Sequence, residues 1–227
     1  MATTQPRTQL KDEAAAHIRE LIVSGQVPPG QLIRLAPLAA RVGASITPVR
    51  EALLLLAQDG WVVQEPNRGF RVVPITRRDI ADTYLVQAFV CGELTARAAR
   101  AIDSERLSVL RELDAEINAH TDDDPGFLER ANYDLHNTIY AAADSDRLAW
   151  FVRAASRFVP RRFWGMIPGW LEHNRAGHAA VINALAEHDA EGARTAMNEH
   201  IVYAGELLLK HLDSILYWSD DLPNPSI

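Results

Sequence analysis

The sequence has one cysteine, Cys91, in 227 residues. With no second thiol it can form no intrachain disulfide, so a disulfide-stapled secreted scaffold is excluded and a reducing compartment is expected. Cys91 follows Ala88, Phe89 and Val90, an apolar setting in which a small buried hydrophobe is the expected role. Long apolar runs are missing too. The run from Leu53 to Ala57 falls far short of the roughly 18 residues a membrane span needs, and the opening MATTQPRTQLKDE lacks the apolar core of a secretory signal. A cytoplasmic protein with no membrane partner is expected. Positive charge is also scarce: the formal net charge is −7, which alone speaks against a nucleic-acid partner. The charge is unevenly divided, however. Residues 1–75 carry eight Lys and Arg against six Asp and Glu, whereas residues 76–227 carry 15 against 24. The acidic part is therefore unsuited to phosphate, and the near-neutral part could meet it only through a few well-placed arginines.

What is present is ordinary globular chemistry, 48% apolar and 23% charged residues, in a chain long enough for two domains. Leu10, Ala14, Ile18, Leu21 and Ile22 recur at helical spacing over residues 8–24, with Gly25 as the stop. Val27-Pro28-Pro29-Gly30 is turn chemistry. A short helix over Leu35 to Val42, the break at Gly43 and a second helix from Ser45 or Ile46 to about Gln58 give a helix-turn-helix pattern. Val49, Ala52, Leu53, Leu56 and Ala57 form the inner face of that second helix, leaving Ser45, Thr47 and Arg50 outside. Trp61 to Gln64 and Phe70 to Val73 read as two strands around a tip of Glu65 to Gly69, which makes a β-hairpin wing. From about residue 76 the pattern changes to long amphipathic stretches, predicting helices at 77–101, 104–120, 126–143, 146–159, 171–187 and 189–213. The expected fold class is mostly α: a winged helix-turn-helix domain over 1–75, then an all-α antiparallel bundle over 76–227 that binds effector and dimerises.

Pro28-Pro29-Gly30-Gln31-Leu32, Leu38-Ala39, Ser45-Ile46-Thr47-Pro48-Val49-Arg50-Glu51-Ala52-Leu53 and Asp59-Gly60-Trp61, in this order, resemble the winged-helix signature of the GntR superfamily. The resemblance implies double-stranded operator DNA as a partner, read by a homodimer. A helix whose first turn carries short polar residues can enter a major groove, where hydroxyls and an arginine fork reach base edges or phosphates. Ser45, Thr47 and Arg50 have those roles available, and Pro48 is tolerated because the first turn has no use for its missing N–H. By analogy with the family, Arg34 and Arg41 sit near the DNA backbone, and Arg68 with Gly69 forms the wing tip. Ile46 stands where many relatives carry a base-contacting arginine. It can touch a thymine methyl but donates no hydrogen bond, so the operator is expected to differ from those of arginine-bearing relatives.

Asn132-Tyr133-Asp134-Leu135-His136, His178 through Leu185, and Asp189 through His200 resemble the FCD effector domain of FadR-type GntR regulators over about 77–213. In that family a carboxylate and three histidines hold a divalent transition metal such as zinc. The matching residues here are Asn132, His136, His178 and His200. Asn132 replaces the usual aspartate and brings an amide oxygen without charge, which lowers the expected affinity. Asp134 points elsewhere on the helix. The same histidines could instead serve a metal-free polar pocket. His17, His120, His173, His188 and His211 fall outside the spacing and are read as surface residues. Arg153, Arg157, Arg161 and Arg162 could supply a bidentate partner for a small organic acid, which the family commonly senses, and Arg157 is the candidate taken here. The expected function is a ligand-responsive regulator, a repressor released by its effector, and not an enzyme. Two alternatives remain at this point: a regulator whose signal is the metal itself, and a three-histidine metallohydrolase.

Overall fold

The computed structural model describes residues 7–120, 125–156, 167–214 and 218. The chain divides into two compact units, Met1–Thr76 with Asp213–Ile227, and Arg77–Leu212.

In the first unit, α1 (Arg7–Val23) buries Ala14, Ile18 and Ile22, spaced four apart and so stacked on one face. Its C-terminal end closes where Gly25 takes φ 71°, and Val27, also buried, returns a backbone hydrogen bond to Leu21. The proline turn then delivers β1 (Leu32–Ile33). α2 (Leu35–Val42) ends at Gly43, whose φ of 72° is a left-handed stop and whose N–H bonds back to the Ala39 carbonyl. Ser45 is extended, and α3 (Ile46–Gln58) starts behind it with Pro48 inside the first turn. α3 buries Pro48, Val49, Ala52, Leu53 and Leu56 against α1 and α2. Ala57, expected on that inner face, is only half-buried.

β2 (Val62–Glu65) and β3 (Gly69–Val72) form the expected hairpin, with Val62 opposite Val72 and Glu65 opposite Gly69. The sheet order is β1-β3-β2, antiparallel throughout. Arg71 ties the hairpin together: its guanidinium donates to both Glu65 carboxylate oxygens and, at 2.7 Å, to the Gly30 carbonyl. The guanidinium in turn holds the Glu65 carboxyl below its ordinary range. The two-residue β1 has no counterpart in the sequence reading, because two residues are too few to show alternation and β3 supplies all its pairing.

The second unit is helical throughout its described residues: α4 (Arg77–Ala101), α5 (Ser104–Ala119), α6 (Pro125–Ala142), α7 (Asp146–Ala155), α8 (Trp170–Ala186) and α9 (Ala190–Ser214). Asp103 caps α5, its carboxylate accepting from the Arg106 N–H at 2.8 Å. α4 packs on α6, α7 and α8, and α5 on α6 and α8, around Leu94, Leu110, Ile117, Leu135, Ile139, Leu185 and Met197, all essentially inaccessible. α9 runs antiparallel to α4: Gly92 faces Arg194 near one end and Tyr84 faces Gly205 near the other. Glycine is required at Gly205, and at Gly92 a side chain would be tight. A Cβ at Gly205 would lie 2.6 Å from the Tyr84 ring, and one at Gly92 would lie 3.1 Å from the Arg194 carbonyl. No helix among the described residues is long and apolar enough to cross a membrane.

Candidate DNA-reading surface and histidine-lined cavity

The first turn of α3 presents the residues the sequence singled out. Ser45, Thr47 and Arg50 are exposed, and the Ser45 side chain makes no capping bond, so its hydroxyl is not used by the helix. Ile46 is 50% exposed. A large apolar residue standing out of a polar helix nose costs solvation unless something covers it, and a thymine methyl is one such cover. Arg34 precedes α2 in extended conformation and is exposed. Arg41 is already engaged: it donates to the Gln26 carbonyl at 3.2 Å and to Gln26 Oε1 at 2.9 Å. It thus fastens α2 to the turn after α1. At the wing tip Asn67 and Gly69 both have positive φ, and Arg68 between them is exposed.

In the helical unit, His136 on α6, His178 on α8 and His200 on α9 converge, with one ring nitrogen of each within 4.8 Å of the others. Burial keeps all three neutral. It pushes His136 down to about 4. Burial, and then the neighbouring imidazoles, hold His178 and His200 well below the usual histidine range. Neutral imidazole is the form that ligates a metal. His178 leaves both ring nitrogens, and His200 its Nδ1, buried without a hydrogen-bond partner, a cost that a bound ion would relieve only in part, at one nitrogen of each ring. Tyr140 meets Nδ1 of His136 at 3.0 Å, which frees Nε2 to ligate. Asp114 on α5 lies 3.9 Å from His178 Nδ1, beyond hydrogen-bond reach, and so places a negative charge near the ring without holding it. These donors fit a divalent transition ion. Asn132, one turn before His136, accepts a hydrogen bond from Asn174 at 3.0 Å through its Oδ1. The second lone pair of that oxygen remains.

A cavity of about 140 Å³ opens beside this cluster, and His136, His200 and Asn132 are in its wall. Tyr84, Gln87 and Cys91 of α4 and Arg153 of α7 line it as well. Burial pushes the Cys91 thiol, which is hydrogen-bonded to Tyr140, up to about 12, so it is an inert wall residue, as its sequence setting indicates. Arg157 lies outside the described residues; Arg153, from the same arginine cluster, reaches the cavity. His173 departs from its surface assignment. It is half-buried, stacks on His200 at 4.8 Å between ring centroids, and donates from Nε2 to the His200 carbonyl at 2.8 Å. His120, also read as a surface residue, is half-buried and stacks on Phe127. Spacing within one helix cannot reveal either contact, since both partners sit on other helices. Gly177 was missed for the same reason: a Cβ there would lie 2.2 Å from His200 Nδ1.

Residues 10–72 match the model for bacterial regulatory proteins of the gntR family, and residues 82–203 match the FCD domain. The chain belongs to the GntR family. This GntR protein is 30% identical over 212 residues, 88% of this chain and 85% of the other, to an HTH-type transcriptional regulator in an unstable DNA locus of Streptomyces ambofaciens. It is 25% identical, over 82% of this chain and 85% of the other, to a probable D-xylose utilization operon transcriptional repressor of Paenarthrobacter nicotinovorans. Among solved structures its fold is similar to that of E. coli McbR/YncC, with a TM-score of 0.64 at 22% identity and coverage of 93% and 96%. A GntR protein with an FCD domain is a DNA-binding transcriptional regulator with a small-molecule effector domain, and it is not an enzyme. The metallohydrolase alternative is thereby set aside.

Proposed function

We propose that this protein is a homodimeric repressor that leaves its operator when a small organic acid enters the FCD cavity. The observation that carries this reading is the placement of three neutral imidazoles at one edge of a mostly apolar cavity that also has an arginine, Arg153, in its wall. His136, His178 and His200 would hold a divalent ion, zinc in the first instance, with Asn132 available at its edge. Such an ion would supply positive charge and an open coordination position for a carboxylate. The chain's own residues do the rest. Tyr140 orients the His136 ring, Asp114 sets a negative charge near His178, Asn174 fixes the Asn132 amide, and Arg153 provides the fork for an acid that the sequence reading assigned to Arg157. The operator is read by Ser45, Ile46, Thr47 and Arg50, with Arg34, Arg41 and Arg68 toward the phosphates. A repressor is favoured because a relative of comparable length is named as one. Filling the cavity would bias the helical domain toward conformations whose winged helices no longer match two half-sites.

The test is fluorescence anisotropy of the full chain on fragments of its native genome, with and without short organic acids, alongside metal content by plasma emission. Salt-sensitive binding to a few fragments, weakened about tenfold or more by one acid, is expected. The double variant His136→Ala with His178→Ala should carry no metal and ignore the acid while still binding DNA. Absence of any salt-sensitive fragment preference would overturn the reading. A shift in affinity on chelation with no acid present would make the ion itself the signal.

A further inference from the structure

From Glu65 to Arg71 the wing carries three charged side chains, Glu65, Arg68 and Arg71, and hydrogen bonding unites only two of them. Arg71 on β3 holds both carboxylate oxygens of Glu65 at the end of β2, and its third bond runs to the Gly30 carbonyl. Arg68, on the turn between the strands, is exposed, and its side chain makes no hydrogen bond among the described residues. Yet it stands close to the same carboxylate. The Arg68 N–H donates to the Glu65 carbonyl at 3.1 Å, so the two residues begin and end one tight turn. Both arginines act on the Glu65 carboxyl: the Arg71 hydrogen bond first, and the Arg68 charge after it, hold it below its ordinary range. Arg68 is thus within electrostatic reach of a carboxylate that another arginine already occupies.

An unoccupied carboxylate at the base of a DNA-reading wing is harmful in two ways. It draws the neighbouring guanidinium into an ion pair, and its own charge repels phosphate. Arg71 prevents both, because its planar fork satisfies the two oxygens at once and leaves little of the carboxylate for Arg68. The bond to the Gly30 carbonyl turns the Arg71 guanidinium inward, toward the proline turn, so its donors are spent inside the domain. We infer that Arg71 is a positioning residue for operator binding, which by occupying the Glu65 carboxylate leaves the Arg68 guanidinium free for DNA. Arg71 acts through Arg68 and does not itself touch the duplex. This rests on the assignment of Arg68 to the operator above and adds what keeps that side chain available.

The test is anisotropy titration of full-chain variants on a fragment of the native genome that the wild type binds in a salt-sensitive way. Arg68→Ala should weaken binding about fivefold or more and lower the salt slope by about one. Arg71→Met and Arg71→Gln should each bring a loss of about the same size, since the released Glu65 captures Arg68. Adding Glu65→Gln to either should restore affinity to within about twofold of the wild type, and Glu65→Gln alone should not weaken binding. Melting temperature separates this from a fold defect: Arg71→Met with and without Glu65→Gln lack the same ion pair and should melt together while differing in DNA affinity. Combined variants that bind as weakly as the Arg71 variants alone would overturn the inference, and so would Arg71 variants with wild-type affinity. In both cases Arg68 keeps its place if Arg68→Ala weakens binding. Unchanged affinity in Arg68→Ala would remove Arg68 from the interface and this inference with it, and a wild type that prefers no fragment would do the same.

Discussion

At the level of single residues, the DNA surface and the metal candidates differ in how they could be recognised. Arg50, exposed on α3, depends on nothing else in the chain, so its role was readable from its place in a polar helix nose. Arg50→Ala should weaken operator binding by roughly 1–3 kcal/mol with no loss of folding; anisotropy titrations at several salt concentrations check this, and unchanged affinity would remove Arg50 from the interface. The histidines are different, because their chemistry comes from burial. An unfolded histidine titrates near pH 6.5, whereas His136 is pushed down to about 4 and His178 and His200 lie well below their ordinary range. The unfolded chain therefore takes up protons first as pH falls. Their contribution to stability is fully present above pH ~6.5 and is lost progressively below it. In chelator-treated protein, thermal melts at pH 7.5 and 5.5 should show a drop at the lower pH, and the drop should shrink in the His136→Ala, His178→Ala variant. Equal drops in both proteins would assign it to other groups.

At the level of elements, long helices were legible because an apolar stripe repeated over four or more turns overwhelms local noise. The ends of α2 and α3 were legible through Gly43 and Pro48, whose backbone limits do not depend on context. The short β1 was not, and neither was the pairing of faces between helices. Gly177 shows what such pairing demands. α8 comes so close to α9 that a methyl group would collide with the ring of His200. Gly177→Ala should cost ~1–3 kcal/mol through overpacking and should lower metal content by displacing His200. Chemical denaturation and plasma emission measure the two effects; a variant with wild-type stability and metal content would show that the helices can separate freely. The wing is held in a comparable way by Arg71, which sequence patterning treats as one more strand residue.

At the scale of the whole molecule, the proposed homodimer needs a seam. Leu85, Val86 and Phe89 project from α4 on the side opposite the cavity stripe, and Phe89 is 74% exposed. An apolar group of this kind offers the proposed homodimer a seam for its second copy. Phe89→Glu should shift the chain from dimer to monomer in light-scattering chromatography and weaken operator binding, because linked half-sites lose their shared effective concentration. A variant that keeps the dimer mass would place the seam elsewhere.

The sequence alone determined the helices, the hairpin and the polar nose of α3, because helical periodicity, turn residues and capping are local properties that each segment carries with it. It also marked Asn132, His136, His178 and His200, but only through their likeness to a family. Tertiary structure decided the rest. Convergence of α6, α8 and α9 makes the imidazoles neutral, while the packing of α7 and α5 brings Arg153 to the cavity and Asp114 to within 3.9 Å of His178, since burial and distance between remote segments exist only once the helices have packed.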